Sequence, residues 1–273
     1  LDVLIYEYKN SSYTPFHYER IYVSATPSGK VSLHKTKEDF KEDALYKFYV
    51  IANSTLDESS YYDEENILEH NDFINLDQTD RLIHLSGVDH HIMNPHYPQM
   101  FLMDGVAYMG DSEPNNPGAI VVNDDKLDNI VLKVKLRRAT AKYVIKIYPG
   151  ENVKFSRQLL AQSKGYMMRN MPIRTRVVAE GKYPNNNPAY WKSSTISQSP
   201  YFEYVQEDNN KYHLRVTLYC YSHRWNSAEF FDKGTSFVFM LPIVYNDKGT
   251  ETTYINNYYQ LVINKQEAQQ EEY

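Results

Sequence analysis

Along most of the chain apolar residues recur at every second position, the period of a half-buried strand. LDVLIYEY (1–8), ERIYVSA (19–25), KVSLH (30–34), RLIHLS (81–86), QMFLMDG (99–105) and AIVVN (119–123) read as strands of the first half. LYKFYVIA (45–52) is apolar or aromatic on both faces, so it is expected at the centre of a sheet covered on both sides. Residues 130–137 and 142–148 complete the set, and they raise a question. In VLKVKLRRATAKYVIKIYPG (131–150), Leu132, Val134 and Leu136 hold even positions, whereas Ile145 and Ile147 hold odd ones. A strand cannot change phase and keep one face buried, so the stretch reads as strand, crossing, strand, or else as a bulged hairpin.

After YPGEN (148–152) a second set begins: VKFSRQLL (153–160), IRTRVVA (173–179), YFEYVQE (201–207), KYHLRVTLYCYS (211–222), SFVFMLPIVY (236–245) and YYQLVIN (258–264). Within 211–222, Leu214, Val216, Leu218 and Cys220 face one way and His213, Arg215 and Thr217 the other. Pro242 places its strand at an edge or bulge, and NDKG (246–249) signals a hairpin turn. Helix is confined to two short acidic windows, 37–45 and 64–76, and long polar loops fall at 110–118 and 181–200. The expectation is an all-β chain of two β-sandwich domains in tandem, 1–150 and 151–273.

Composition narrows the function. The 273 residues include 26 Tyr but only 2 Trp, and tyrosine suits half-wet sheet surfaces. A net charge of −6 and no basic stripe argue against nucleic acid as a partner. No run reaches the roughly 18 apolar residues of a membrane helix. Cys220 is the sole cysteine and, between Tyr219 and Tyr221, reads as a packed thiol.

Candidate chemistry is sparse. Six carboxylates crowd 57–69, without the order that wraps a loop around calcium. His84, His90, His91 and His96 lie close in sequence but lack a helical H-x-x-x-H or a cysteine partner, so no metal is expected. No nucleophile elbow and no phosphate-binding glycine pattern occurs, and no cofactor is expected. Trp191 and Trp225 could stack on sugars or anchor loops.

The string VLKVKLRRATAKYVIKI resembles the signature of the Bacteroidales fimbrillins, subunits of type V pili; the matching residues are Leu132, Val134, Leu136, Arg137, Arg138, Ala139, Ala141 and Lys142. LYKFYVIAN (45–53), FLMDG (101–105), LYCYSHRW (218–225), FVFMLPIVYND (237–247) and NNYYQLVI (256–263) are similar to further segments of that family, in the same order. The resemblance implies two transthyretin-like β-sandwiches and a non-enzymatic structural subunit or tip adhesin of a cell-surface fimbrium. It implies export through the outer membrane as a lipoprotein precursor, and assembly by strand exchange that proteolysis triggers. The implied partners are other fimbrial subunits, with host or bacterial surface glycans or proteins for an adhesin.

Tyr258, Tyr259, Leu261 and Ile263 form the candidate assembly strand. Two departures stand out. The chain starts directly in an apolar strand, with no Arg before Arg20, so the expectation is that a removable segment was cleaved or is not included. KQEAQQEEY after the last strand shows no apolar alternation, so a tip or accessory subunit fits as well as a stalk subunit. A secreted carbohydrate-binding module is the alternative, and a surface glycosidase a third reading.

Overall fold

Asn10 and Ser11 both adopt positive φ, 50° and 62°, the pattern of a two-residue hairpin turn whose twist matches that of strands. They join β1 (Asp2–Lys9) to β2 (Ser12–Arg20) in the computed structural model of the chain. The structure describes residues 1–23, 29–79, 101–115, 117–124, 130–155, 166–171, 174–180, 189–192, 202–207, 211–221, 236–240, 243–248, 250–254 and 258–262. The described chain is nearly all β, and it divides into two compact units. The first holds Leu1–Gln78, Phe101–Ala139 and Arg176–Pro184; the second holds Thr79–Met100, Thr140–Thr175 and Asn185–Tyr273.

The first unit is built on one antiparallel sheet in the order β2, β1, β3 (Leu45–Ala52), Met103–Val106, Arg137–Arg138, with Ile120–Val121 also on β3. As its two-sided apolar pattern predicts, β3 is central, and every residue from Tyr46 to Ala52 is buried. Its odd positions Tyr49 and Ile51 join Leu4 and Tyr6 of β1 in a core with Tyr18, Tyr61, Phe73, Leu102, Val177 and Val178. Its even positions Tyr46, Phe48 and Val50 join Val3 and Ile5 in a second core with Phe40, Ala107 and Val122 on the other face.

Among the described residues the second unit holds three sheets. Thr140–Ile147 pairs with Tyr212–Tyr221, which pairs with Phe202–Gln206. Val153–Phe155 pairs with Ile243–Asp247, which forms with Thr250–Tyr254 the hairpin that NDKG signals. A four-stranded sheet runs Ala189–Lys192, Tyr166–Met171, Ser236–Met240, Tyr258–Val262. SFVFMLPIVY therefore serves two sheets, 236–240 in one and 243–247 in another; Pro242 itself lies outside the described residues.

Several expectations need correction. The strand sought at 19–25 lies at 12–20: Pro15 breaks the pattern, yet it is accommodated on an edge strand where Ile5 faces His17 and Tyr6 faces Pro15, leaving Phe16 as a bulge. Residues 30–34 form no strand. Residues 130–137 are not one strand either, since only the bridge Tyr108↔Lys133 and the pair Arg137–Arg138 are formed. Of the helix windows, 37–45 holds a single 3-10 turn, Lys37–Asp39, tied by the Thr36 N–H to the Asp39 carboxylate at 2.7 Å. The window 64–76 holds one α-turn, His70–Phe73. Short segments do not repay helix nucleation; Phe40 and Phe73 fix them instead by entering the two cores. The strand expected at 81–86 lies outside the described residues.

Candidate functional site

Lys47 faces the same way as Tyr49 and Ile51, toward the core they share with Leu4 and Tyr6, and only 8% of its side chain is exposed. A buried ammonium demands a counter-charge. Glu180 supplies it: both carboxylate oxygens lie 2.9 Å from Nζ. The Tyr49 hydroxyl donates to the same carboxylate and lies 2.7 Å from His70 Nε2. A hydroxyl has one proton, so with that proton directed at Glu180 the bond to His70 requires an Nε2–H tautomer. Burial lowers the His70 pKa and so favours the neutral ring, whose Nε2–H tautomer supplies that donor. Burial pushes Glu180 upward, but hydrogen bonds from Lys47 and Tyr49 outweigh it and hold the carboxyl below its usual range. The rings of Tyr13 and Tyr49 flank the ammonium, with centroids 5.3 and 5.1 Å away.

Glu180 belongs to a segment of the first unit of which residues 176–180 are described. Arg176 donates to the Asn75 carbonyl, and the Val177 N–H donates to the Leu76 carbonyl at 3.0 Å. Val177 and Val178 are fully buried in the core that holds Leu4, Tyr6, Tyr49 and Ile51. The Ala179 N–H donates to Asp104 Oδ2 at 2.9 Å. Burial raises the Asp104 carboxyl to about 6, against the pull of the Ala179 amide and of Arg137. Arg137, opposite Asp104 in the sheet, sends its guanidinium to Glu113 at 2.7 and 2.8 Å. The ionisable groups of this constellation bond one another, so its chemistry is to hold a short segment by backbone hydrogen bonds, two buried valines and one ion pair.

The signature residues divide at the change of phase. Leu136 packs against the second core; Arg137 and Arg138 pair with Asp104 and Met103; Ala139 packs on the first core and donates its N–H to the Leu102 carbonyl at 2.9 Å. Ala141 and Lys142 lie opposite Cys220 and Tyr219 in the second unit. Tyr258, Tyr259 and Leu261 pair with Met240, Phe239 and Phe237, while Ile263 lies outside the described residues.

Trp191 stands opposite Met168, whereas Trp225, His84, His90, His91 and His96 lie outside the described residues. Among the described residues no cluster of metal-ligating side chains occurs, and the acidic stretch 57–69 forms a 3-10 turn, Glu58–Tyr61, and a small ribbon. His213, on the face opposite Leu214 and Val216, is also buried, 3% exposed, with the Tyr148 ring against it and Glu207 3.0 Å away. Sequence reading missed Lys47, Asp104 and Glu180; the available signal was a lysine within an otherwise two-sided apolar strand.

No family model matches the chain, and no curated protein matches it. Two solved structures resemble it. A candidate adhesin of Bacteroides thetaiotaomicron is 8% identical with a TM-score of 0.47, over 92% of this chain and 70% of the other. A candidate cell adhesion protein of Parabacteroides distasonis is 12% identical with a TM-score of 0.48, over 96% of this chain and 79% of the other.

Proposed function

We propose that the chain is a structural subunit or tip adhesin of a cell-surface fimbrium, made of two transthyretin-like sandwiches and joined to its neighbours by strand exchange after proteolysis. One observation carries the reading. Tyr258–Val262 is the last strand of its sheet: it pairs with Ser236–Met240 on one flank and, among the described residues, with no strand on the other. An edge strand presents a row of N–H and C=O groups that a further strand can satisfy, which is how one chain recruits another without a reactive centre. The order of the signature motifs along the chain supports the same reading.

In this account the precursor is a lipoprotein exported through the outer membrane, and its partners are other subunits and, for an adhesin, surface glycans or proteins. At about 25 cal/mol per Å² of apolar area, an inserted strand stabilises a joint by several kcal/mol before ordering costs. The test is assembly of the purified precursor. Treatment with an arginine-specific protease is expected to produce multimers that survive unboiled electrophoresis. A chain that stays monomeric and binds saccharides on a glycan array is a carbohydrate-binding module instead.

A further inference from the structure

Residues 176–180 are foreign to the unit they complete. The groups that receive them, Leu4, Tyr6, Lys47, Tyr49, Leu76 and Asp104, all precede Ala139, while the chain on either side of Arg176–Pro184 belongs to the second unit. Their seat is selective. It offers a backbone carbonyl and a carboxylate as acceptors to the amides of Val177 and Ala179, an apolar slot for two valines, and at its end an ammonium that is almost wholly buried. An apolar peptide without a carboxylate opposite Lys47 would leave a buried charge unpaired.

The geometry points to exchange of this segment between two copies of the chain: residues 176–180 of one copy occupy the seat of another. Every hydrogen bond and buried contact named above forms equally well in trans, so the choice between the closed monomer and the exchanged dimer rests on effective concentration and on the connections. Lys47 and Glu180 select the chain's own segment as the occupant. The inference is independent of the fimbrial reading, which uses the edge at Tyr258–Val262; either can fail without the other.

Charge reversal tests it. Lys47→Glu and Glu180→Lys each place like charges together in a closed monomer and in any dimer of identical chains. An exchanged dimer of the two variants restores opposite charges in both seats. In one, the glutamate introduced at position 47 meets the lysine introduced at position 180; in the other, the original Lys47 meets the original Glu180. The two full-length variants are unfolded, mixed, refolded and examined by native mass spectrometry. The expected result is a one-to-one dimer at least about tenfold more abundant than dimers of either variant alone. The double variant, which restores the pair within one chain, is expected to return to the distribution of the unaltered protein. A mixture without the mixed dimer, while the double variant folds, overturns the proposal. If the double variant does not fold, unaltered chains with and without isotope label are refolded together at high concentration and treated with a carbodiimide, which joins an ammonium to a carboxylate in contact. A Lys47–Glu180 cross-link between labelled and unlabelled chains then supports exchange, and cross-links confined to one chain overturn it.

Discussion

A single methyl group at Gly105 tests how the first unit is packed. Gly105 lies in the strand Met103–Val106, and a Cβ there would meet the Lys135 carbonyl oxygen at 2.6 Å and Val134 Cγ1 at 2.8 Å, where ordinary contact begins near 3.4 Å. Relief requires a shift of about 0.8 Å, and overpacking of that kind costs about 1–3 kcal/mol. Neither side yields freely. Met103–Val106 is held between β3 and Arg137–Arg138, and the opposing segment is pinned by reciprocal Tyr108 and Lys133 backbone bonds of 2.9 and 3.0 Å.

Replacing glycine by alanine also restricts the unfolded chain, which returns about 0.4–1 kcal/mol. The net expectation for Gly105→Ala is a loss of about 1–2 kcal/mol, read as a fall of about 0.5–1 M in the urea midpoint. Hydrogen exchange of β1 and β3 amides locates that loss in the first unit. Gly118→Ala is the control, because nothing lies within 4 Å of its Cβ and its φ is ordinary. If the two variants melt within about 0.2 M of each other, the close approach of residues 134–135 to the strand is refuted.

Three further outcomes are expected. Ser11→Gly relieves a left-handed residue in the β1–β2 turn and stabilises the hairpin by about 0.5–1 kcal/mol in urea melts. Arg20→Met strips the buried Asp2 carboxylate of the guanidinium bonded to it at 2.5 and 3.2 Å, leaving the Tyr18 and Tyr61 hydroxyls; a loss of about 3 kcal/mol or more is expected by thermal melting. Asp104 ionises at about 6 in the folded chain against an ordinary 3.8, so the native state takes up a proton first and the first unit gains stability as pH falls through that interval. Glu180 acts in the opposite sense and only below its ordinary 4.5, so a comparison of urea midpoints for the unaltered chain and Asp104→Asn isolates the upper window, which Asn flattens.

What sequence shows here depends on how local the cause is. The two-sided apolar run of β3 reveals its central place because each residue reports its own burial. The change of phase at 136–145 is legible as a break, but the passage from a strand of the first unit, Arg137–Arg138, through Ala139 to one of the second, Thr140–Ile147, is not, because nothing in the local pattern says which unit takes each strand. β2 was hidden by Pro15, whose tolerance depends on an edge and a bulge that only the fold reveals. Glu180 was hidden by distance, since its partner Lys47 lies 133 residues earlier and each taken alone is an ordinary charged residue. Lone windows such as 64–76 mislead for a related reason: their periodicity fits a helix, but the core takes only Phe73 with one turn around it.

The most direct measurement is electrophoresis, without boiling, of material sheared from the surface of the cells that make this protein, probed with an antibody to the first unit. Strand-mediated assembly predicts a ladder spaced by one subunit that collapses to a single band on boiling. A lone monomer band in the unboiled sample, with the protein retained in the sheared cells, contradicts it.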